Sequence, residues 1–464
     1  LENGIPVYFQ PDHTSNVVSI VVKAGALKDP PNFLGRAHVF EHFAANSTRD
    51  FSTIETAKML RTYSSEYWRG AGIYTTYANT AYGCGLLRKR NYILNLFPLF
   101  AQMVRYPNLS HHTTEEIIRV EQSAVICEWA LHGEDNIEER ASMKLLKMLY
   151  PNNPVSNRFD CDPNHLMGPS VAKELIKYHN EHYVSSNIGI IILGPDGRTA
   201  MSMARRAFGD MPEKQAPSLI SLAGADIYPQ LSGRLYEEFE YGDTQNKTFH
   251  LLFGFPLEPF GSAYADSIEV LVELLETHLQ FAIRDLSPGQ HLGTYHPRVW
   301  TDSTNLHGTM YVWMPVISMD GAKRAEEVLA EEIRKIHDGK FLDFGLNGVA
   351  NKIKYMTSAE RKAAIKILKR MGRSPLTVMR RPIADRYSGA FINDPETLAE
   401  LITQDFANGV DSPSHLNRFQ DRMHKVRKKS VIDAARKFLN PPNYGLVLAK
   451  PINPLDFSQF KGQA

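Results

Sequence analysis

The chain has 464 residues, more than one ordinary hydrophobic core holds and enough for two to four units at roughly 150 residues each. Hydrophobic residues make up 43% and charged residues 22%, which excludes a disordered or fibrous chain. Lys and Arg number 52 against 51 Asp and Glu, so the net charge of +1 gives no global field to attract nucleic acid or an anionic membrane surface.

In chain order, Thr14 to Gly25 (TSNVVSIVVKAG) reads as a strand entering a Gly turn. Apolar Phe33, Leu34, Phe40 and Phe43 then fit a short helix within Phe33 to Asn46, entered after Pro30, Pro31 and Asn32. Long helical patterns follow at Arg90 to Arg105 and Thr114 to His132, and again at Ser267 to Asp285 and Lys323 to His337. Val171 to Pro195 (VAKELIKYHNEHYVSSNIGIIILGP) predicts an amphipathic helix followed by a strand. It has an echo at Val431 to Pro451 (VIDAARKFLNPPNYGLVLAKP). A second strand into a Gly turn, Thr244 to Phe255 (TQNKTFHLLFGF), corresponds loosely to the first.

Two copies of one α+β unit follow, each with helices packed on one face of a mostly antiparallel sheet. Met211 to Ser232 is rich in Pro, Ser and Gly and has little periodicity. The expected division is therefore a domain at 1–212, a linker at 213–232 and a homologous domain at 233–464.

Cys84, Cys127 and Cys161 are widely spaced and odd in number, which excludes a disulfide framework or a cysteine zinc cluster and predicts buried thiols. No apolar run approaches the ~18 residues of a membrane span, and the longest, Ile188 to Leu193, has strand length. A chain without membrane spans is expected. Its compartment stays open, cytoplasm or periplasm for a bacterial protein, because the sequence begins at Leu1 without Met.

The chemistry concentrates in FLGRAHVFEHFAAN. His38 and His42, four apart on a helix, share a face one turn apart, so both imidazoles reach one ion while Glu41 sits beside them. Zinc suits this donor set, and three protein ligands would leave a position for a water of lowered pKa. The helix Thr113 to His132, opening on a possible capping box at Thr113 and Glu116, carries Glu121 and Glu128. Seven residues make nearly two turns, so both carboxylates lie on one face among Ile118, Ala124 and Val125, where burial demands a partner. Glu128 is the expected third ligand of a single Zn2+ and Glu121 its support, with Glu41 as the base. His111 and His112 are expected in a loop before this helix, and His291 and His296 lack ligand spacing.

These residues resemble the inverzincin peptidases: pitrilysin, insulin-degrading enzyme and the mitochondrial processing peptidase with its bacterial relatives. The likeness rests on LENGIPVYFQ, the strand end at Gly25, GRAHVFEHF, the Glu121 to Glu128 helix and the duplicated plan. It implies a zinc metalloendopeptidase acting on peptides or short unfolded polypeptides, with its two domains forming half of a clamshell chamber. Zinc would sit on His38, His42 and Glu128, with Glu41 as general base and Glu121 assisting. The second domain would lack metal and reach the substrate carbonyl through Arg284 and Tyr295. A strand from Gly72 to Tyr82 resembles the family's substrate-pairing edge, with Gly72 where Asn is common. The spacing from His42 to Glu128 is longer than usual, as an insertion around Thr62 to Gly70 would make it. The resemblance also implies a partner, another copy or a degenerate homologue. The rival expectations are an idle scaffold subunit and a hydrolase of another substrate class on the same metal set.

Overall fold

The computed structural model describes residues 1–11, 16–63, 72–85, 92–108, 111–131, 136–157, 161, 163–166, 171–194, 196–217, 227–242, 247–285, 296–341, 395–410, 416 and 418–454. The chain begins with β1 (Val7–Pro11), β2 (Val17–Val22), α1 (Arg36–Asn46), α2 (Thr53–Tyr63), β3 (Tyr74–Thr75) and β4 (Thr80–Cys84). Helices α3 (Ile93–Arg105), α4 (His111–Trp129), α5 (Ile137–Leu149), α6 (Pro163–Leu166) and α7 (Val171–His182) precede β5 (Ile188–Gly194) and α8 (Gly197–Phe208). Then come β6 (Leu235–Tyr241), β7 (Phe249–Leu257), α9 (Ala265–Asp285), β8 (Arg298–Thr304), β9 (His307–Val316) and α10 (Met319–His337). The last described elements are α11 (Pro395–Ala407), α12 (Phe419–Lys425), α13 (Lys428–Phe438) and β10 (Gly445–Pro451).

These elements form two compact α+β units, each assembled from separated stretches. The first comprises Leu1–Asp135, Asn157–Gly224 and Ser388–Asn417, and the second Asn136–Ser156, Ala225–Tyr387 and Arg418–Ala464. The described residues 136–156 and 395–410 therefore fall in the units opposite to those that a division at 213–232 gives them.

In the first unit the described strands form a sheet of order β1-β5-β2-β4-β3. Only β1 and β5 are parallel; the other pairs are antiparallel. Val18, Ile20 and Val22 of β2 pack with Phe40 and Phe43 of α1, Phe97 and Phe100 of α3, Tyr178 of α7 and Phe208 of α8. The alternate residues Val17 and Val21, with Ile191 and Leu193 of β5, pack under Leu398, Ile402 and Phe406 of α11.

The second unit repeats the topology as β6-β10-β7-β9-β8, again with one parallel pair, β6 and β10. Phe249, Leu251, Phe253 and Phe255 of β7 meet Leu271 and Leu275 of α9, Leu329 of α10 and Phe438 of α13. On the other face lies α5. A Cβ added at Gly254 of β7 would stand 2.5 Å from a methyl of Leu145, so the glycine is what lets this helix approach.

Three differences from the sequence reading have clear causes. Each sheet carries its helical layer on one face as expected, but one further helix covers the other, which is why β2, β5 and β7 are buried at every residue. The strand expected from Gly72 to Tyr82 is a hairpin, because Thr76 N–H donates to the Asn79 carbonyl and Asn79 N–H to Thr76 Oγ1, ending β3 at Thr75. Helix α4 starts at His111, so His111 and His112 are helical rather than loop residues, and the capping-box pair falls inside the helix. Cys84 and Cys161 are buried as expected, whereas Cys127 is exposed on α4. Among the described residues no helix is long and apolar enough to cross a membrane.

Candidate metal centre

Helix α1 is fixed at its entrance and along one flank. Gly35 holds φ 89° at the N-cap, a left-handed conformation that favours glycine. Asp29 accepts from the Gly35 and Ala37 backbone N–H groups at 3.0 and 2.9 Å, satisfying donors that the first turn leaves free. Burial pushes the Asp29 carboxyl up to about 7, against the lowering charge of Arg36 and these backbone bonds. On the buried flank the Phe40 ring packs against Tyr178, His179 and Tyr183, at centroid separations of 5.6, 5.6 and 4.7 Å. The opposite flank therefore presents His38 and His42, whose ring centroids lie 4.8 Å apart.

Helix α4 brings Glu128 to this pair. Its Oε2 lies 3.4 Å from His38 Nε2 and 3.5 Å from His42 Nε2. A tetrahedral ion with bonds of about 2.1 Å separates its ligand atoms by about 3.4 Å, so Glu128 already stands at that spacing from each histidine, and all three donor atoms lie within 4.8 Å of one another. Side-chain exposures of 35% for His38 and 47% for Glu128 leave one side of the group open to a water or a substrate. Among the described residues it is the one group of three or more His, Cys, Asp or Glu donors able to hold a metal. Hydrogen bonding to His38 and His42 holds the Glu128 carboxyl well below the usual carboxylate range. Burial pulls the His42 imidazolium down, but Glu121 and Glu128 outweigh it and push it up to about 10.

Two further carboxylates serve this group. Glu121, two turns before Glu128, places Oε2 3.2 Å from His42 Nδ1, and Asn46 Nδ2 donates to its Oε1 at 2.7 Å. Glu41 stands apart from the three donors, with Oε2 3.9 Å from His38 Nε2, and is nearly buried. Thr75 Oγ1 on β3 donates to that same Oε2 at 3.1 Å, and the facing Thr80 hydroxyl is tied to the Ala24 carbonyl at 2.8 Å. Burial raises the Glu41 carboxyl above its ordinary value, opposed by the charges of His38 and His42 and by the Thr75 bond. A carboxyl so placed is suited to take and return a proton.

His38, Glu41, His42, Glu121 and Glu128 are thus brought together. Gly72 lies half-buried just before β3, at the edge of the first sheet. Arg284 belongs to α9, but its side chain lies outside the described residues, as does Tyr295. The sequence reading missed Thr75, Asn46 and Asp29. Asn46 follows His42 by one helical turn, a spacing legible in advance; the contacts of Thr75 and Asp29 depend on how α1 docks.

Residues 8–157 match the family described as Insulinase (Peptidase family M16), and residues 170–349 match Peptidase M16 inactive domain. The chain is 23% identical over 227 residues to "Probable zinc protease PqqL" of Escherichia coli (strain K12); the match spans 47% of this chain and 23% of that relative. It is similar in fold to a protease from Helicobacter pylori, with a TM-score of 0.75, 14% identity and coverage of 97% of this chain and 98% of that one. A peptidase M16 inactive domain from Pseudomonas fluorescens gives 0.71, 16% identity and 98% coverage of each chain. With two such profiles over most of its length and a His38-x-x-Glu41-His42 helix facing Glu128, the chain belongs to peptidase family M16.

Proposed function

We propose that this chain is a zinc-dependent metalloendopeptidase, with His38, His42 and Glu128 as zinc ligands and Glu41 as general base. The observation that carries the reading is the convergence of three donor atoms within 4.8 Å of one another beside a buried carboxylate that is not one of them. When bound, zinc supplies a charge that polarises the scissile carbonyl and brings the pKa of a water towards ~7. Glu41 takes the proton of the attacking water and delivers it to the leaving amine, held in place by Thr75. Glu121 orients His42. Among the described residues strand β3 pairs with β4 alone, so an extended peptide can add to its other edge by main-chain pairing, beginning near Gly72.

Arg284 and Tyr295 are proposed to contact the substrate carbonyl, as the family resemblance implies. The same reading makes this chain half of a closed chamber completed by a second copy or a homologous subunit, with peptides as substrates. PqqL is described as a probable zinc protease, and that activity fits the same donor set.

The reading is tested by cleavage of a mixed peptide pool followed by mass spectrometry, beside metal analysis of the dialysed protein. One zinc per chain and cuts that stop on chelation and return with zinc are expected. Stoichiometric zinc without cleavage of any peptide would instead support an idle scaffold. Cuts unaffected by chelation would remove the metal from the reaction. His42→Ala should abolish stoichiometric zinc, because it removes a ligand and the group that Glu121 Oε2 holds. Retention of zinc by that variant would show the donor set to be wrongly assigned.

A further inference from the structure

Beyond the ligands and the base, a chain of polar groups runs from the exposed start of α2 to His42. Thr53 Oγ1 donates to Asn46 Oδ1 at 2.6 Å, and Asn46 Nδ2 donates to Glu121 Oε1 at 2.7 Å. The other oxygen of Glu121 lies 3.2 Å from His42 Nδ1. Asn46 is the last residue of α1, one turn beyond His42 on the same flank, and Thr53 is the first residue of α2.

From this arrangement we propose that Asn46 and Thr53 are positioning residues that set the orientation of Glu121 and, through it, that of the His42 ring. An ionised carboxylate only accepts, so the amide end of Asn46 must face Glu121 and its carbonyl end must face Thr53, whose hydroxyl then donates. The opposite amide orientation would set Oδ1 against a carboxylate oxygen. With Oε1 engaged by Asn46, Oε2 is the oxygen left for His42, and it accepts from Nδ1–H. With Nδ1 engaged by Glu121, Nε2 is the ring nitrogen that faces Glu128, where a metal would be bound. Thr53 touches neither the histidines nor Glu128 in this chain of bonds; it acts through two intermediates.

This inference rests on the zinc reading above, and its test separates the two. Zinc dissociation constants of the full chain, measured by competition with a chromogenic chelator, would be compared for wild type, Asn46→Ala, Thr53→Val and the double variant. Urea midpoints would be recorded for each. Asn46→Ala is expected to weaken zinc by about 10- to 100-fold, the usual effect of losing a group that orients a ligand. Thr53→Val should weaken it by a smaller factor and Thr53→Ser restore it, while the double variant is no weaker than Asn46→Ala. Wild-type zinc affinity in Asn46→Ala would overturn the proposal. Simple additivity of the two losses would also overturn it, because residues acting in series cannot add. Should Asn46→Ala fail to fold, the Thr53 pair decides alone, since its position is exposed: equal affinity for wild type and Thr53→Val overturns the relay. A wild-type chain that takes up no zinc defeats the peptidase reading itself, and the relay with it.

Discussion

Glu41→Gln is expected to lower kcat for peptide hydrolysis by about 10²- to 10⁴-fold, the range that a lost general base costs. Zinc should stay bound. The substitution keeps the shape of the side chain, and its carbonyl oxygen can still accept from Thr75, so the local packing changes little. What disappears is the one nearly buried carboxylate beside His38 that is not part of the donor group. Single-turnover cleavage of a peptide found in the wild-type digest, beside zinc analysis of both proteins, measures the two quantities separately. Undiminished turnover removes Glu41 from the mechanism. Loss of zinc together with turnover would instead assign Glu41 a structural part in the centre.

Phe406→Ala should cost about 3–5 kcal/mol of stability, the usual effect of emptying a buried phenylalanine site. The ring is 4% exposed, lies against Gly189 of β5, stacks edge-on with Tyr8 and receives the Lys23 ammonium 4.1 Å from its centroid. The effect has an address. Amide exchange should accelerate by roughly 10²- to 10⁴-fold in β2 and β5, although the substitution lies more than 200 residues further along the chain. The converse pattern, loosening of β7 and β10 with β2 and β5 unchanged, would contradict the packing of α11 on the first sheet.

The sequence made the duplication legible through its endings. The helix and strand patterns at Val171 and Val431 became α7 with β5 and α13 with β10, strands that occupy equivalent places in two sheets of one order. The metal donors were legible because helical periodicity acts locally: four residues separate His38 from His42, and seven separate Glu121 from Glu128. What escaped was packing contributed from a distance. VVSIVV and IGIIILG are apolar on both faces, a mark of strands covered on both sides, but nothing local in them names the covering helix. Helix α11 supplies it from the other end of the chain. Likewise, no spacing in the sequence announces that Thr75 meets Glu41, because that contact depends on a hairpin closed by Thr76 and Asn79.

The placement of α11 also bears on the order of events during synthesis. The five described strands of the first sheet have left the ribosome once Gly194 has emerged, yet the helix packed on one face of it begins about 200 residues later, at Pro395. At ordinary elongation rates that interval is roughly 10–40 s. Throughout it Val17, Val21, Ile191 and Leu193 lack the α11 side chains that they pack against in the folded chain. Such an apolar group is a natural docking place for a chaperone, and a nascent chain stalled before Pro395 would be held there longest.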